Sequence, residues 1–206
     1  MTSLEPVLKP IAIVDLRPTQ IAVGFREVAE KRKRFRALSA RAGDDFLGGH
    51  MLPTVVGPKD RHYLIDNHHL ALALHEEGAT KVLVSVAADL SALSKASFWR
   101  FLDNRDWCHP YDEEGERAGF DAIPNSIEKL KDDPYRSLAG ELRHAGGYAK
   151  DLTLFSEFLW ADFLRGRIKA KSIDADFDAA LARALKMARS KDAAFLPGWC
   201  GPDPIG

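Results

Sequence analysis

Residues 61–86, "RHYLIDNHHLALALHEEGATKVLVSV", contain the clearest succession of strand and helix signals in the chain. The first part of this stretch, 61–66, combines β-branched and aromatic residues and predicts a strand. An apolar pattern with helical spacing follows over His69–Glu77, and Gly78 is placed to end that helix. The run 81–89 is the clearest strand signal in the chain. Four polar residues fall at the junction between the first strand and the helix: Asp66, Asn67, His68 and His69.

Segments before this stretch complete a small mixed α/β unit. "IAIVDL" (11–16) predicts a strand, and Thr19 is placed to cap a helix that starts near Gln20. "MLPTVVG" (51–57) predicts a further strand, and the short turn after it predicts a hairpin with 61–66. The helix after Gln20 has these predicted inward positions: Val23, Val28, Phe35 and Leu38.

Beyond residue 95 helical patterns joined by Gly, Pro and Asp turns replace the strand signals. We therefore predict an α+β fold with a small mixed-sheet domain over 1–95 and a helical region over 96–206 packed on it. Residues 136–164 have the helix-turn-helix order of DNA-binding proteins. The second helix of this pair is aromatic and acidic, which predicts a core helix without a basic DNA-reading face.

Composition limits the function classes. The chain has 206 residues, 46% of them hydrophobic, and a formal net charge of −1. This balance does not favour a nucleic-acid binder, and the basic run "KRKRFR" (31–36) has glutamates at i−4 that predict a solvated helix face. Two cysteines, Cys108 and Cys200, give no disulfide framework. With no secretory signal and no apolar stretch approaching about 18 residues, we predict a cytoplasmic protein without a membrane span.

The junction at 66–69 carries the chemistry of a phosphate site. A helix N-terminus offers backbone N–H groups and the positive end of the helix dipole. Histidines add donors, Asp66 can contact a metal or accept a proton, and Asn67 tolerates positive φ. The alternative is that Asp66 and Asn67 are ordinary turn and cap residues and that the two histidines are partly exposed and take no part in a site. Asp66, His68 and His75 do not form a recognised zinc pattern. The sequence does not show whether His50 or His109, both in loops, reaches a site.

Two segments carry a resemblance to a known family. "YLIDNHHLALALHEEGATKVLVSV" (63–86) and "VDLRPTQIAVGFREVAEKRKRF" (14–35) resemble the ParB/sulfiredoxin superfamily, in particular its ParB-like nuclease branch. The resemblance extends from about residue 11 to 200. Its most specific pieces are residues 66–69 and 16–20.

The resemblance implies a nucleotide phosphate site at the strand-to-helix loop. Relatives include ParB proteins that bind CTP and DNA, ADP-dependent kinases of free serine, and sulfiredoxins that use ATP. By position, Asp66 matches the kinase aspartate and Gln20 lies near the kinase glutamate. The implied catalytic residues are Asp66, His68 and His69. The implied ligand-binding residues are Arg17, Gln20, Asn67, His68 and His69, with Asp66 as a contact for Mg²⁺.

Departures from the pattern limit what the resemblance implies. The loop lacks the sulfiredoxin cysteine. Leu70 stands where the kinases have arginine, which removes a phosphate clamp, and Asn67 replaces glycine. Gln20 cannot ionise, so it cannot replace a glutamate as general base.

We therefore expect a phosphotransferase or phosphohydrolase that uses ATP, ADP or CTP and a small-molecule acceptor. A non-catalytic module that binds a nucleotide or associates with DNA is one alternative. A metal-dependent nuclease acting on DNA is the other.

Overall fold

A computed structural model of the chain describes residues 8–42 and 51–202. His50 lies outside these residues. Contacts divide the described chain into two compact units. The first contains the residues up to Val23 and Val28–Lys131, and the second contains Gly24–Glu27 and the residues from Asp132 onward. This division differs from the boundary predicted at residue 95, because 96–131 belong with the sheet.

The first unit is built on a mixed four-stranded sheet. Its strands are β1 (Leu8–Ala12), β3 (Leu52–Gly57), β4 (Arg61–Leu64) and β5 (Lys81–Asp89). Their order is β1-β5-β3-β4, with β5 parallel to β3 and both outer pairs antiparallel. The predicted hairpin between β3 and β4 and the predicted bounds of β5 are confirmed.

The first strand lies earlier than the sequence predicted. β1 ends at Ala12, and Ile13–Asp15 form a 3₁₀ turn, so the strand prediction over 11–16 was wrong beyond Ala12. The reason is the register: Ala12 pairs with Lys81, which is the first residue of β5. The Ile13 N–H still donates to the Thr80 carbonyl at 3.1 Å, just before β5, and the chain then leaves the sheet in the 3₁₀ turn.

The helix predicted from Gln20 also begins later. A two-residue strand, β2 (Ala22–Val23), comes first, and α1 spans Phe25–Ala42. Thr19 is not its cap, because its hydroxyl donates to the backbone carbonyl of Leu64 at 2.7 Å. The predicted inward positions of this segment are buried or partly buried in the first unit: Val23, Val28, Phe35 and Leu38.

Basic residues of α1 pair with acids, as a solvated helix face would. Arg32 and Arg36 both bind Glu77, with N–O distances of 2.5 and 2.7 Å. Lys33 pairs with Glu30 on the same helix. The pairs across to Glu77 connect α1 to the residue that follows α2 (His68–Glu76), so they stabilise the helical side of the first unit.

Helices complete both units, and the predicted α+β fold is confirmed. In the first unit α3 (Lys95–Asn104) buries Phe98 and Trp99, and β6 (Lys131–Asp132) begins at the division between the units. The second unit contains α4 (Pro134–His144), α5 (Ser156–Arg165), α6 (Ala170–Ala175) and α7 (Phe177–Ala188).

The second unit has its own hydrophobic core. Trp160 and Leu164 of α5 are fully buried in it, and Phe163 is nearly so, which confirms the prediction of a core helix. Among the described residues, no helix is long and apolar enough to cross a membrane.

Candidate functional site: the corner between β4 and α2

The corner is the tight connection from β4 into α2. Asn67, the residue before the helix, has φ 62° and ψ 31° and is therefore in the left-handed region that asparagine tolerates. Its side chain accepts no hydrogen bond from the first turn of α2. The first intrahelical bond runs from the Ala71 N–H to the Asn67 carbonyl at 2.9 Å. The helix therefore begins without the side-chain cap that asparagine usually provides.

The four predicted corner residues differ sharply in exposure. Asp66 and Asn67 are exposed, whereas His68 and His69 are 2% and 8% exposed. One Asp66 oxygen, Oδ1, accepts the Asn67 N–H at 2.6 Å. A ligand at the corner would therefore meet the Asp66 carboxylate and the helix backbone before it met the imidazole rings.

His68 holds the corner together from inside. The Thr19 N–H donates to His68 Nε2 at 3.0 Å, and the Thr19 hydroxyl lies 3.3 Å from the same nitrogen. Because the Thr19 N–H can only donate, Nε2 acts as the acceptor of this bond, while the Thr19 hydroxyl donates to the Leu64 carbonyl. A ring that accepts at Nε2 is neutral, so His68 in this arrangement positions Thr19 and supplies no positive charge.

The segment 17–20 runs beside β4 and reaches the corner. The Arg17 N–H donates to the His62 carbonyl at 2.9 Å, and the Arg17 carbonyl accepts the Leu64 N–H at 2.8 Å. Burial and, to a smaller extent, the charge of Lys9 lower the pKa of His62. The structure thus brings Arg17 and Thr19 alongside the strand that leads to Asp66.

Two polar atoms in this segment are buried and lack a partner among the described residues. They are Arg17 Nε and the Gln20 carboxamide oxygen, Oε1. Gln20 as a whole is only 9% exposed. A buried acceptor without a donor costs about 1–3 kcal/mol, so Gln20 Oε1 is an acceptor that a ligand donor would satisfy.

Two residues contribute to the site in ways that the sequence did not predict: Thr19 and His109. Thr19 was interpreted as a helix cap, yet it connects the corner to the loop after α3. The Thr19 carbonyl accepts the His109 N–H at 2.9 Å, and His109 forms an isolated bridge with Gln20. The His109 ring stacks on Tyr111 with a centroid distance of 4.3 Å. No local pattern could reveal this, because the partners lie about 90 positions apart in the chain.

The described residues contain no group of three or more His, Cys, Asp or Glu side chains arranged to hold a metal. Asp66, His68 and His75 therefore do not form such a group. Mg²⁺ is commonly bound by one or two carboxylates together with substrate phosphates and water. The exposed Asp66 carboxylate fits that mode, so the predicted Mg²⁺ contact rests on Asp66 alone.

Comparisons with known proteins place the chain in a family. The family model described as "Putative ParB-like nuclease" matches residues 9–166, which include every predicted site residue. The crystal structure of protein Atu1540 from Agrobacterium tumefaciens is 55% identical, with a TM-score of 0.90, and the match covers 97% of this chain and 99% of that chain. No curated protein matches this chain. Since the family model spans more than half of the 206 residues, the chain belongs to the ParB-like nuclease family described by that model.

Proposed function

We propose that this protein binds the phosphate group of a nucleotide at the corner between β4 and α2, with ATP, ADP and CTP as the candidate nucleotides. The observation that carries this proposal is the uncapped start of α2. The Asn67 side chain accepts nothing from the first turn, and the residues before the helix are exposed. Backbone N–H groups and the helix dipole at such a start favour an anion.

The exposure pattern supports binding through the backbone more than through imidazole rings. His68 is buried and accepts from Thr19, so its ring serves to fix the corner. The first-turn N–H groups around His69 and Leu70 then provide the donors to phosphate. Binding of phosphate through backbone N–H groups also explains why Leu70 can stand where the kinases have arginine. Such binding depends less on a charged side chain at this position.

Arg17 and Gln20 supply the remaining contacts in this proposal. Arg17 lies in the segment that runs beside β4, and its guanidinium adds positive charge for phosphate oxygens. Gln20 Oε1 is an acceptor, so it suits a hydroxyl or amino group of the ligand and not a phosphate oxygen. The site would therefore take a nucleotide together with a donor-bearing group close to it.

Phosphoryl transfer is the proposed reaction, with Asp66 as base. Its exposed carboxylate would take the proton of an attacking hydroxyl, either of a small-molecule acceptor or of water. The hydroxyl oxygen would bond to the terminal phosphorus as the bond to the leaving phosphate oxygen breaks. In the alternative role, Asp66 would contact Mg²⁺ instead of acting as base, and the ion would supply charge neutralisation at the phosphates.

Calorimetric titration with ATP, ADP and CTP, with and without Mg²⁺, tests the binding step. The informative variant is Asn67→Asp, because aspartate keeps the left-handed backbone and the side-chain volume but adds a negative charge at the corner. We expect it to weaken binding at least about tenfold. Asn125→Asp, the same change at an exposed position outside the site, is the matched control. Absence of nucleotide binding by the unmodified protein would overturn the proposal.

Turnover is tested separately with Asp66→Asn. The amide oxygen of asparagine can still accept the Asn67 N–H, so the corner should keep its shape. We expect Asp66→Asn to bind nucleotide and release no product. Binding without product in the unmodified protein would favour the non-catalytic alternative. Metal-dependent nicking of plasmid that Asp66→Asn abolishes would favour the nuclease alternative suggested by the family description.

A further inference from the structure

The second unit contains a cavity of about 240 Å³ that the proposed function does not use. It lies between the start of α1, the start of α4 and the junction of α6 with α7. Its principal lining residues are Arg26, Asp132, Ser137, Ile173, Asp174 and Phe177. All of them belong to the second unit. The lining combines two carboxylates, one cation, one hydroxyl and an apolar wall, which is the composition of a small-molecule site.

The cation does not neutralise the carboxylates. The Arg26 guanidinium carbon lies 3.7 Å from the centre of the Phe177 ring, a cation–π contact. Among the described residues, Arg26 forms no ion pair with Asp132, Asp174 or any other acid. With two negative side chains and one positive side chain, the lining carries a net charge of −1.

Carboxylate oxygens in the cavity remain available to a ligand. Asp132 uses one oxygen, Oδ1, to accept the Phe25 N–H at 2.7 Å. The Asp174 carboxylate accepts no hydrogen bond from the residues that the structure describes. Asp132 and Asp174 are exposed residues, but partial desolvation of the Asp132 carboxylate still raises its pKa. The bond from Phe25 opposes this rise, and the negative charges of Asp133 and Asp174 add to it. A positive ligand group between Asp132 and Asp174 would relieve that repulsion.

The hydroxyl and the apolar wall limit the shape of the ligand. Ser137 is 4% exposed, and its Oγ accepts the Arg26 N–H at 3.2 Å. Ile173 is 3% exposed and faces the cavity beside Phe177. A short alkyl chain would lie against this wall, and the volume suits a ligand of few heavy atoms.

We propose that this cavity binds a small primary ammonium compound, with its charged group between Asp132 and Asp174 and its alkyl chain against Ile173. A primary ammonium group has three N–H donors and can serve both carboxylates at once. A carboxylate or phosphate ligand would meet two like charges against the single cation Arg26, so the net charge of the lining disfavours it.

Titration of the full chain with n-butylamine, followed by amide shifts in ¹H–¹⁵N spectra, tests the proposal. n-Butanol and n-butyrate, at the same ionic strength, are the matched probes of equal length. We expect n-butylamine to bind with a Kd on the order of 1 mM and to shift the amides of Ser137 and Ile173. n-Butanol and n-butyrate should give no saturable shift there.

Substitutions of the two aspartates test whether they contact the ammonium group. Asp132→Asn and Asp174→Asn should each weaken n-butylamine binding at least about fivefold. Asparagine at 132 still accepts the Phe25 N–H, so the fold is retained. Asp178→Asn removes a charge from the same region of α7 without touching the cavity and should leave binding unchanged. Equal effects of all three variants, preferential binding of n-butyrate, or no saturable shift with n-butylamine would each overturn the proposal.

Discussion

Thr19 and His68 lie 49 positions apart and are joined in the interior by a hydrogen bond of 3.0 Å from the Thr19 N–H to His68 Nε2. Thr19 is fully buried, and His68 is 2% exposed. This bond connects the segment that contains Arg17 and Gln20 with the first residue of α2. The buried imidazole therefore fixes the relative position of the two parts of the candidate site, together with the backbone bonds between Arg17 and β4.

Replacement of that imidazole should destabilise the first unit. His68→Ala leaves the Thr19 N–H buried without an acceptor, which costs about 1–3 kcal/mol in the free energy of unfolding. Urea unfolding monitored by circular dichroism measures the change. His75→Ala, on the same helix, removes only a partly exposed ring 3.7 Å from Glu128 and should cost less than about 1 kcal/mol. An equal loss in both variants would contradict the role assigned to His68.

The backbone at Asn67 gives a second stability prediction. Because Asn67 has φ 62° and makes no capping bond, Asn67→Gly should keep or slightly raise the free energy of unfolding. Asn67→Val should lower it by about 1–2 kcal/mol, since a β-branched residue is strained in the left-handed region. Thermal melts of the two variants make the comparison. A less stable Asn67→Gly would show that the side chain carries a bond that this account lacks.

The ion pairs around Glu77 predict a defined acid response. Hydrogen bonds from Arg36 and then Arg32 lower the pKa of Glu77 from 4.5 to about 2. A lowered folded-state pKa stabilises the fold above pH 4.5 and loses that contribution as the pH falls toward 2. The melting temperature of Glu77→Gln should therefore lie below that of the unmodified protein at pH 7, and the gap should close below pH 4.5. A gap that persists at pH 2 would argue against an ionic origin.

The two cysteines should differ strongly in reactivity. Burial, and then the charge of Asp103, raise the pKa of the Cys108 thiol to about 12, so little thiolate exists at pH 8. Cys200 is exposed. We expect one rapid alkylation by iodoacetamide in the folded protein, abolished in Cys200→Ser. Rapid labelling of Cys108 without denaturant would contradict the buried placement.

Local patterns predicted those parts of the fold that local forces determine. β5 spans Lys81–Asp89 as predicted, and Gly78, with φ 80°, follows α2 as the expected stop signal. The start of α1 and the end of β1 were predicted wrongly, because residues distant in the sequence determine where each begins or ends. Thr19 resembles a helix cap in isolation, but the Leu64 carbonyl and His68 use its polar groups.

The candidate site was predictable in position and not in detail. The Asp66–His69 corner follows from the strand-to-helix pattern, and asparagine at position 67 is compatible with the left-handed backbone found there. The inward turn of His68 was not, because it depends on Thr19 across 49 positions of sequence. The sequence likewise could not show that the Gln20 carboxamide oxygen lacks a hydrogen-bond partner among the described residues, because this depends on its burial.

Phosphate binding at the corner is tested most sharply by observing the backbone N–H groups at the start of α2. In ¹H–¹⁵N spectra recorded during titration with ADP, we predict downfield shifts of the His69 and Leu70 amide protons that saturate with the nucleotide. The shifts should be much weaker in Asn67→Asp and unchanged in Asn125→Asp. Saturating shifts confined to other parts of the chain, or no shift at His69 and Leu70, would contradict phosphate binding at this corner.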